Sequence, residues 1–275
     1  MANVSIADIK TLREQLGTGM VDTKKALEEA DGDLEKAIEI LRLKGAKGNA
    51  KRADRAATEG LVAATSNDGR ATIIELACET DFVAKNEKFL ALADKVLAAV
   101  AAVGANSVEE ALAADVDGKS VADTIADEAA VIGEKIEVRG ATTLTGDAFQ
   151  IYLHKTNKDL PAQVGVVVAF SGDDAETARS IAQHISFAAP EYLTRDEVPT
   201  DVVDKERDIV TEISRSEGKP EAALPKIIEG RVNAFFKQVV LLDQAYAKDN
   251  KLSIQKVADE AGITITGFER FKVGA

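Results

Sequence analysis

The sequence predicts an α+β protein in which a small N-terminal helical bundle precedes a two-part core of antiparallel sheets and helices. Three observations predict this class. Apolar residues recur at helical spacing through the first 45 residues, and a strand–turn–strand–helix pattern occurs twice in the middle of the chain. A later helical stretch is broken at 218–220, which predicts an antiparallel helical hairpin inserted in the second half of the core.

The N-terminal unit is predicted to contain three short helices. Ser5 is a suitable N-cap with Asp8 three residues later, and Gly17 is expected to end the first helix. The second helix is predicted at 20–30, and a turn at 31–33 separates it from the third. The first and third helices each have an apolar face, formed by Ile6, Ile9, Leu12 and Leu16 and by Leu34, Ala37, Ile38 and Leu41.

A basic segment follows at 42–55, where six lysines and arginines face one aspartate. Gly45 and Gly48 are expected to interrupt any helix there. A nucleic-acid patch is one interpretation, but the chain has no Trp and only 4% aromatic residues to stack on bases. We therefore interpret the segment as a solvated linker that lets the bundle reach a partner independently of the core.

The core is predicted as two related α+β halves, each with two strands joined by a turn and followed by a helix. Short helical patches and two linking strands are expected between the halves, and a Ser253-capped helix and a last strand complete the second half. The first half covers 60–65, 67–69, 70–78 and a helix to residue 100, and the second covers 149–155, 157–161, 164–170 and 174–187. The helical patches are predicted at 108–130, the linking strands at 135–140 and 142–144, and the last strand at 264–273.

The helical hairpin is predicted within 201–247, with its reversal at 218–220. It is expected to protrude from the core and to offer a dimer contact or a second partner surface. The packed faces are expected to be Val203, Ile209, Val210 and Ile213 on one helix and Ile227, Ile228, Val232 and Phe235 on the other. The predicted domains are the bundle with its linker at 1–54, a first core subdomain at 55–140, a second at 141–200 and 241–275, and the inserted hairpin at 201–240.

The amino-acid composition limits the classes of function that the chain can have. The chain has 275 residues, 45% of them apolar and 29% charged, as is typical of a folded protein of about two domains. A net charge of −13, from 34 basic and 47 acidic residues, argues against general binding to nucleic acid or to an anionic membrane. One cysteine allows no internal disulfide, and neither a secretory signal nor a membrane-spanning run is recognised. We expect a protein partner and a cytoplasmic location.

The most informative segment is Glu-Thr-Asp-Phe-Val-Ala-Lys-Asn at 79–86. A predicted strand precedes it and a predicted helix follows it, so Asp81 and Phe82 lie at a strand-to-helix junction. Such a junction can present a carboxylate and an apolar ring to a partner, because function concentrates in loops that rigid elements carry. From the residues alone, however, we favour a phenylalanine that packs into its own core.

Enzymatic and metal-binding classes have little support in the residues. Cys78, His154 and His184 are candidates for a nucleophile and base, but none has the local context that activates a thiol. Cys78 is predicted to be a small core residue, and His184, on an amphipathic helix, to be structural. Two histidines and one cysteine fall short of a zinc site, and no phosphate-binding glycine loop is present. We therefore predict no catalytic residue, no metal site and no cofactor.

Several separated motifs resemble the bacterial elongation factor Ts family, in the family's order and over nearly the whole chain. They are Leu12-Arg13, Gly-Met-Val-Asp-Thr-Lys-Lys-Ala-Leu at 19–27, Thr-Asp-Phe-Val-Ala-Lys-Asn at 80–86, His-Ile at 184–185, Pro-Glu-Tyr-Leu at 190–193, Glu-Gly-Arg at 229–231 and Gly-Phe-Glu-Arg-Phe at 267–271. The sequence departs from the family's usual motifs at 20–23 and 161–166, which affects secondary contacts more than the segment at 80–86.

The resemblance implies a guanine-nucleotide exchange factor for elongation factor Tu, binding its GDP-bound and nucleotide-free forms and making no covalent bond. It implies that the N-terminal helices, whose layout is similar to a ubiquitin-associated domain, dock on elongation factor Tu, and that the hairpin is a coiled-coil module. The implied partner-binding residues are Thr80, Asp81, Phe82, Val83, Leu12, Met20, Val21 and His154, and direct contact with nucleic acid or membrane is not expected. Two alternatives remain open: a non-catalytic adaptor that binds proteins through the bundle and hairpin, and RNA binding through the basic segment.

Overall fold

The N-terminal residues form the predicted helical bundle. The computed structural model describes residues 4–16 and 18–275, and Gly17, the predicted end of the first helix, lies outside them. The helices are α1 (Ile6–Leu16), α2 (Met20–Glu29) and α3 (Leu34–Arg52). The Ser5 hydroxyl accepts a hydrogen bond from the Asp8 N–H at 3.1 Å, as an N-cap does. The bundle core consists of Leu12, Ala26, Leu27, Ala30, Ala37 and Leu41.

The first half of the core is a three-stranded antiparallel sheet with helices on one face. The strands are β1 (Glu59–Asn67), β2 (Arg70–Cys78) and β5 (Ile136–Thr145), in the order β1-β2-β5. Between β2 and β5 lie α4 (Asp81–Ala84), α5 (Glu87–Val103), α6 (Val108–Ala113), β3 (Asp115–Val116), β4 (Lys119–Ser120) and α7 (Val121–Ile132). The two linking strands predicted at 135–140 and 142–144 are one strand, β5, because each part pairs with β2 across a register shift at Glu75 and Leu76.

The second half repeats this topology. Its strands are β6 (Ala148–His154), β7 (Val164–Ser171) and β10 (Thr264–Lys272), in the order β10-β7-β6. The other elements are α8 (Ala175–Ala188), β8 (Ala245–Tyr246), β9 (Asp249–Ser253) and α11 (Ile254–Glu260). In both halves the second strand of a hairpin is central and a strand much later in the chain pairs with it, which confirms the predicted internal repeat.

The two sheets pack face to face. Val62, Ala71 and Ile73 of the first sheet form one buried cluster with Val167 of the second. The approach is so close at Gly165 that a Cβ atom there would lie 2.4 Å from a methyl carbon of Val62. Together the halves form an α+β core, in agreement with the predicted fold class.

The inserted hairpin consists of α9 (Thr200–Ser216) and α10 (Leu224–Val239). Val210 and Val232 are buried as predicted, but Ile209 and Ile213 are 44% and 42% exposed. The buried face of α9 includes Ser214 instead, because it follows the four-residue step from Val210. Within the described residues, no helix has the length and apolar character needed to cross a membrane.

The predicted linker after the bundle is wrong, because α3 continues through Gly45 and Gly48 to Arg52. The end of α3 packs against α7. A Cβ atom at Gly45 would lie 2.8 Å from the Cβ of Ala130, and the Asn49 side chain donates a 2.8 Å hydrogen bond to the carbonyl of Ala126. Tertiary packing thus outweighs the low helix propensity of glycine here, and the basic segment attaches the bundle to the core.

Candidate partner-binding site

The Asp-Phe pair lies on a single helical turn, α4, between β2 and α5. Thr80 precedes α4 in an extended conformation, and its hydroxyl oxygen accepts a hydrogen bond from the Val83 N–H at 3.4 Å. Asn86 then caps α5 by accepting from the Lys88 N–H at 2.9 Å. Two successive N-caps therefore fix the backbone on both sides of Asp81 and Phe82, and the predicted strand-to-helix junction is confirmed.

The Phe82 ring points into solvent. Phe82 is 73% exposed, whereas Val83 and Ala84, on the same turn, are buried in the first core half. The Asp81 side chain beside it is 47% exposed. The interpretation favoured by the residues alone, in which Phe82 packs into its own core, is therefore wrong. An exposed large apolar ring on an ordered turn is available for contact with another molecule.

Lys85 lies over both exposed side chains. Its Nζ atom is 3.4 Å from Asp81 Oδ2 and 4.7 Å from the centroid of the Phe82 ring. An ion pair this exposed contributes about 1 kcal/mol or less to stability, and an exposed cation–π contact contributes about as much. Lys85 therefore keeps the acid and the ring side by side without locking either of them.

Four residues, Glu79, Thr80, Glu134 and Lys135, form a reciprocal set of hydrogen bonds that we call the carboxylate clasp. Glu134 Oε2 accepts from the Thr80 N–H at 3.0 Å, and Glu134 Oε1 accepts from the Thr80 hydroxyl at 2.6 Å. In return, Glu79 Oε1 accepts from the Lys135 N–H at 2.6 Å. The clasp joins the segment before α4 to the segment between α7 and β5.

The residues just before α4 have shifted pKa values with clear causes. The hydrogen bond from the Lys135 N–H lowers the pKa of the Glu79 carboxyl, and Arg55, 3.2 Å from Glu79 Oε2, lowers it further. Burial raises the pKa of the Cys78 thiol to about 12. Cys78 is fully buried and donates to the carbonyl of Thr80 at 3.3 Å. It is a core residue, as predicted, and lacks the environment of a reactive thiolate.

The two histidines have different surroundings. His154 is exposed at the end of β6, where its Nδ1 atom lies 3.0 Å from the Tyr152 hydroxyl. His184 is buried, its Nδ1 accepts from the Ala247 N–H, and its Nε2 therefore donates to Gln244 Oε1 at 2.8 Å. Burial lowers the pKa of His184, so the neutral, structural role predicted for it agrees with its contacts.

The remaining predicted contact residues divide into exposed and buried ones. Met20 and Val21 are 59% and 64% exposed at the start of α2. Leu12, in contrast, is 1% exposed in the bundle core, and Val83 is 8% exposed beneath Phe82. Their apolar side chains fill the interior at these positions, so neither offers a surface to a partner, which corrects the expectation for both.

Sequence reasoning missed Glu134. It lies 54 positions from Thr80 along the chain, and no local motif marks it as a partner of the Asp-Phe turn. Only the pairing of β2 with β5 brings the two segments together. Within residues 4–16 and 18–275, no group of His, Cys, Asp and Glu side chains is arranged to hold a metal ion.

Comparisons with known proteins agree with the motifs. The family model described as "Elongation factor TS" matches residues 79–275. Proteins called elongation factor Ts from Leifsonia xyli subsp. xyli and Clavibacter michiganensis subsp. michiganensis are 71% and 67% identical to this chain, with 100% of both chains covered in each case. The protein of the same name from Micrococcus luteus is 55% identical, again over 100% of both chains.

Proposed function

The chain belongs to the elongation factor Ts family, and we propose that it is a guanine-nucleotide exchange factor for elongation factor Tu, releasing GDP so that GTP can rebind during translation elongation. The observation that supports a specific site is the 73% exposed Phe82 ring beside the carboxylate of Asp81 on a capped turn. The protein would act by binding alone, with no catalytic residue and no cofactor of its own.

In the proposed mechanism the Asp-Phe turn enters the nucleotide-binding domain of elongation factor Tu, near its switch region and bound magnesium. Phe82 inserts between packed side chains of the partner and separates them. The Asp81 carboxylate disturbs the hydrogen bonds and water ligands that hold the magnesium, which favours oxygen ligands. GDP thereby loses a cation that anchors its phosphates.

Thermodynamic linkage sets the size of the effect. If binding of the factor weakens GDP by about a thousandfold, or about 4 kcal/mol, then GDP must weaken the factor by the same amount. Either guanine nucleotide then displaces the factor, and an excess of GTP gives the cycle its direction. No selectivity of the factor for one nucleotide is required.

Exposed residues outside the Asp-Phe turn would contact the same partner. Met20 and Val21, both exposed on the bundle, would dock on elongation factor Tu, and His154, exposed on the second core half, would meet another of its domains. α3 attaches the bundle to α7, so these contacts would form from one connected body. We further propose that the protein acts in the cytoplasm and makes no direct contact with nucleic acid or a membrane. We also propose the helical hairpin as a homodimer contact.

The test is stopped-flow release of fluorescent GDP from the cognate elongation factor Tu. We expect the native chain to accelerate release strongly and the double variant Asp81→Ala, Phe82→Ala to lose most of the acceleration while remaining folded by circular dichroism. Phe187→Ala is the matched control, because Phe187 is 84% exposed at the end of α8 and tests the loss of an exposed ring elsewhere.

Two outcomes would contradict the proposal. If the native chain binds elongation factor Tu without accelerating release, the adaptor function replaces exchange. If the double variant remains fully active, exchange stands but the Asp-Phe turn does not perform it. An RNA-binding role predicts instead a steep salt dependence and sensitivity to changes at Lys51 and Arg52.

A further inference from the structure

We propose that Glu134 is a positioning residue for the Asp-Phe turn, holding Thr80, and through it α4, in the geometry that exchange requires. The expected effect of Glu134 on nucleotide exchange rests on the proposed function. Glu134 itself does not lie on the turn, because it follows α7 and precedes β5. It acts on Asp81 and Phe82 only through the residue that caps their helix.

The Thr80 hydroxyl is oriented by Glu134. Its single proton is donated to Glu134 Oε1 at 2.6 Å, so an oxygen lone pair remains to accept from the Val83 N–H. Glu134 thus selects the hydroxyl orientation that caps α4. The second carboxylate oxygen also fixes the Thr80 backbone, by accepting its N–H at 3.0 Å.

The short helix α4 depends on contacts outside itself. It has four residues, too few for a helix to be stable without outside contacts. Hydrogen bonds to an ionised carboxylate are roughly twice as strong as neutral ones, and Glu134 makes two of them to one residue. Glu134 therefore restrains the N-terminal end of this turn through two hydrogen bonds to Thr80.

The fold places Glu134 beside Thr80 by ending α7 immediately before it. Gly133 ends α7 with a positive φ of 88°, a conformation that glycine adopts without strain. The chain reverses there, and the next residues enter β5 beside β2. The Glu79 to Lys135 hydrogen bond closes the other side of the clasp at 2.6 Å, so Glu134 is itself held in place.

An ordered turn inserts into a partner more favourably than a mobile one, because its conformational entropy is lost on folding and not on binding. Glu134 lies between α7 and β5 in the core, whereas Met20 and Val21 lie on α2 in the bundle, so we expect docking through the bundle not to depend on it. The inference therefore predicts a lower maximal rate of GDP release in Glu134→Ala, with little change in the concentration that gives the half-maximal rate.

The kinetic experiment measures stopped-flow GDP release over a range of factor concentrations for Glu134→Ala, Glu134→Gln and a control, Glu109→Ala. Glu109 is an exposed residue of α6. We expect the plateau rate to fall about tenfold in Glu134→Ala, consistent with loss of charge-assisted hydrogen bonds, and to fall less in Glu134→Gln, which keeps one acceptor oxygen. Partial unfolding would change the concentration required but not the plateau.

A second measurement does not depend on exchange. The chain has no Trp, so Phe82→Trp supplies a single reporter on the turn, and time-resolved fluorescence anisotropy of the free protein measures its local motion. We expect added Glu134→Ala to increase the amplitude of the fast decay and added Glu109→Ala to leave it unchanged. If the native chain fails to accelerate GDP release, the proposed function fails, while the anisotropy still decides whether Glu134 orders the turn. An unchanged plateau or an unchanged fast decay in Glu134→Ala would overturn the inference.

Discussion

The backbone N–H of Lys135 donates a 2.6 Å hydrogen bond to the carboxylate of Glu79. Arg55 Nη1 lies 3.2 Å from the other carboxylate oxygen, so both oxygens are engaged. These contacts favour the charged form and lower the pKa of the Glu79 carboxyl below 4.5, its ordinary value. In the folded protein Glu79 therefore holds its proton less tightly than in the unfolded chain.

This shift predicts acid sensitivity. A lowered folded-state pKa gives stability that is complete above the unfolded value near 4.5 and is lost as pH falls through the folded value. We expect the free energy of unfolding, measured with urea at a series of pH values, to fall less steeply below about pH 4.5 in Glu79→Gln than in the native protein. Glu109→Gln, an exposed control, should retain the native slope. Equal slopes in the native protein and Glu79→Gln would show that the shift is absent.

Substitution by alanine is expected to have different effects at the two glycines of α3, Gly45 and Gly48. A Cβ atom at Gly48 would meet only the flexible end of Arg52, at 3.2 Å, whereas one at Gly45 would lie 2.8 Å from the Cβ of Ala130 on α7. We expect Gly48→Ala to stabilise the helix by up to about 1 kcal/mol through propensity. Gly45→Ala should gain the same propensity but push α3 away from α7.

Chemical unfolding measures the gain in stability expected for Gly48→Ala. Small-angle X-ray scattering measures the separation of bundle and core in both variants. An increased radius of gyration is expected for Gly45→Ala and not for Gly48→Ala. Identical scattering from both variants would mean that α3 is not seated on α7 in solution.

Leu12 and Met20 allow a buried and an exposed position of the bundle to be compared. Its side chain is 1% exposed, whereas Met20 is 59% exposed. We expect Leu12→Ala to destabilise the bundle by about 2–5 kcal/mol, as other deletions from a packed core do, and Met20→Ala to change its stability by about 0.5 kcal/mol or less. Because parts of a protein can open locally before the whole chain unfolds, the measurement is amide hydrogen exchange in α1 to α3. Similar protection in the two variants would contradict the buried position of Leu12.

Cys78 is the only cysteine of the chain and predicts slow thiol labelling. It is fully buried, and burial raises its pKa to about 12, so near pH 8 the reactive thiolate is both rare and inaccessible. We expect a thiol reagent to label the native protein only through opening of the structure, and the urea-unfolded protein rapidly. Fast labelling of the native protein would show that β2 is open at its end.

Much of this arrangement could be predicted from local patterns. The hairpin of β1 and β2 follows from two apolar segments on either side of Asn-Asp-Gly at 67–69. The junction at Asp81 and Phe82 follows from its place between a strand and a helix, but the residues alone favour a buried Phe82, and only the family resemblance implies the exposed ring that the structure has. The hairpin of α9 and α10 was also predicted, but not that Ile209 and Ile213 are exposed, since a stripe of apolar residues does not reveal which edge of it meets the partner helix.

The errors share one cause. Gly45 and Gly48 favour an interrupted helix when only neighbouring residues are considered, yet contact with Ala126 and Ala130 of α7 keeps α3 continuous. Leu12 and Val83 belong to motifs that carry exposed residues, and the motif alone does not distinguish the side chain that binds from the one that supports it.

The sequence by itself determined the α+β class, the order of the elements and the family, because periodicity, turn residues and motifs are encoded within short segments. Only the tertiary structure decided that Glu134 holds Thr80, that α3 is seated on α7 and which motif residues reach the surface. These facts depend on contacts between residues far apart in the chain, and pairing of β2 with β5 creates such contacts only when the whole core forms.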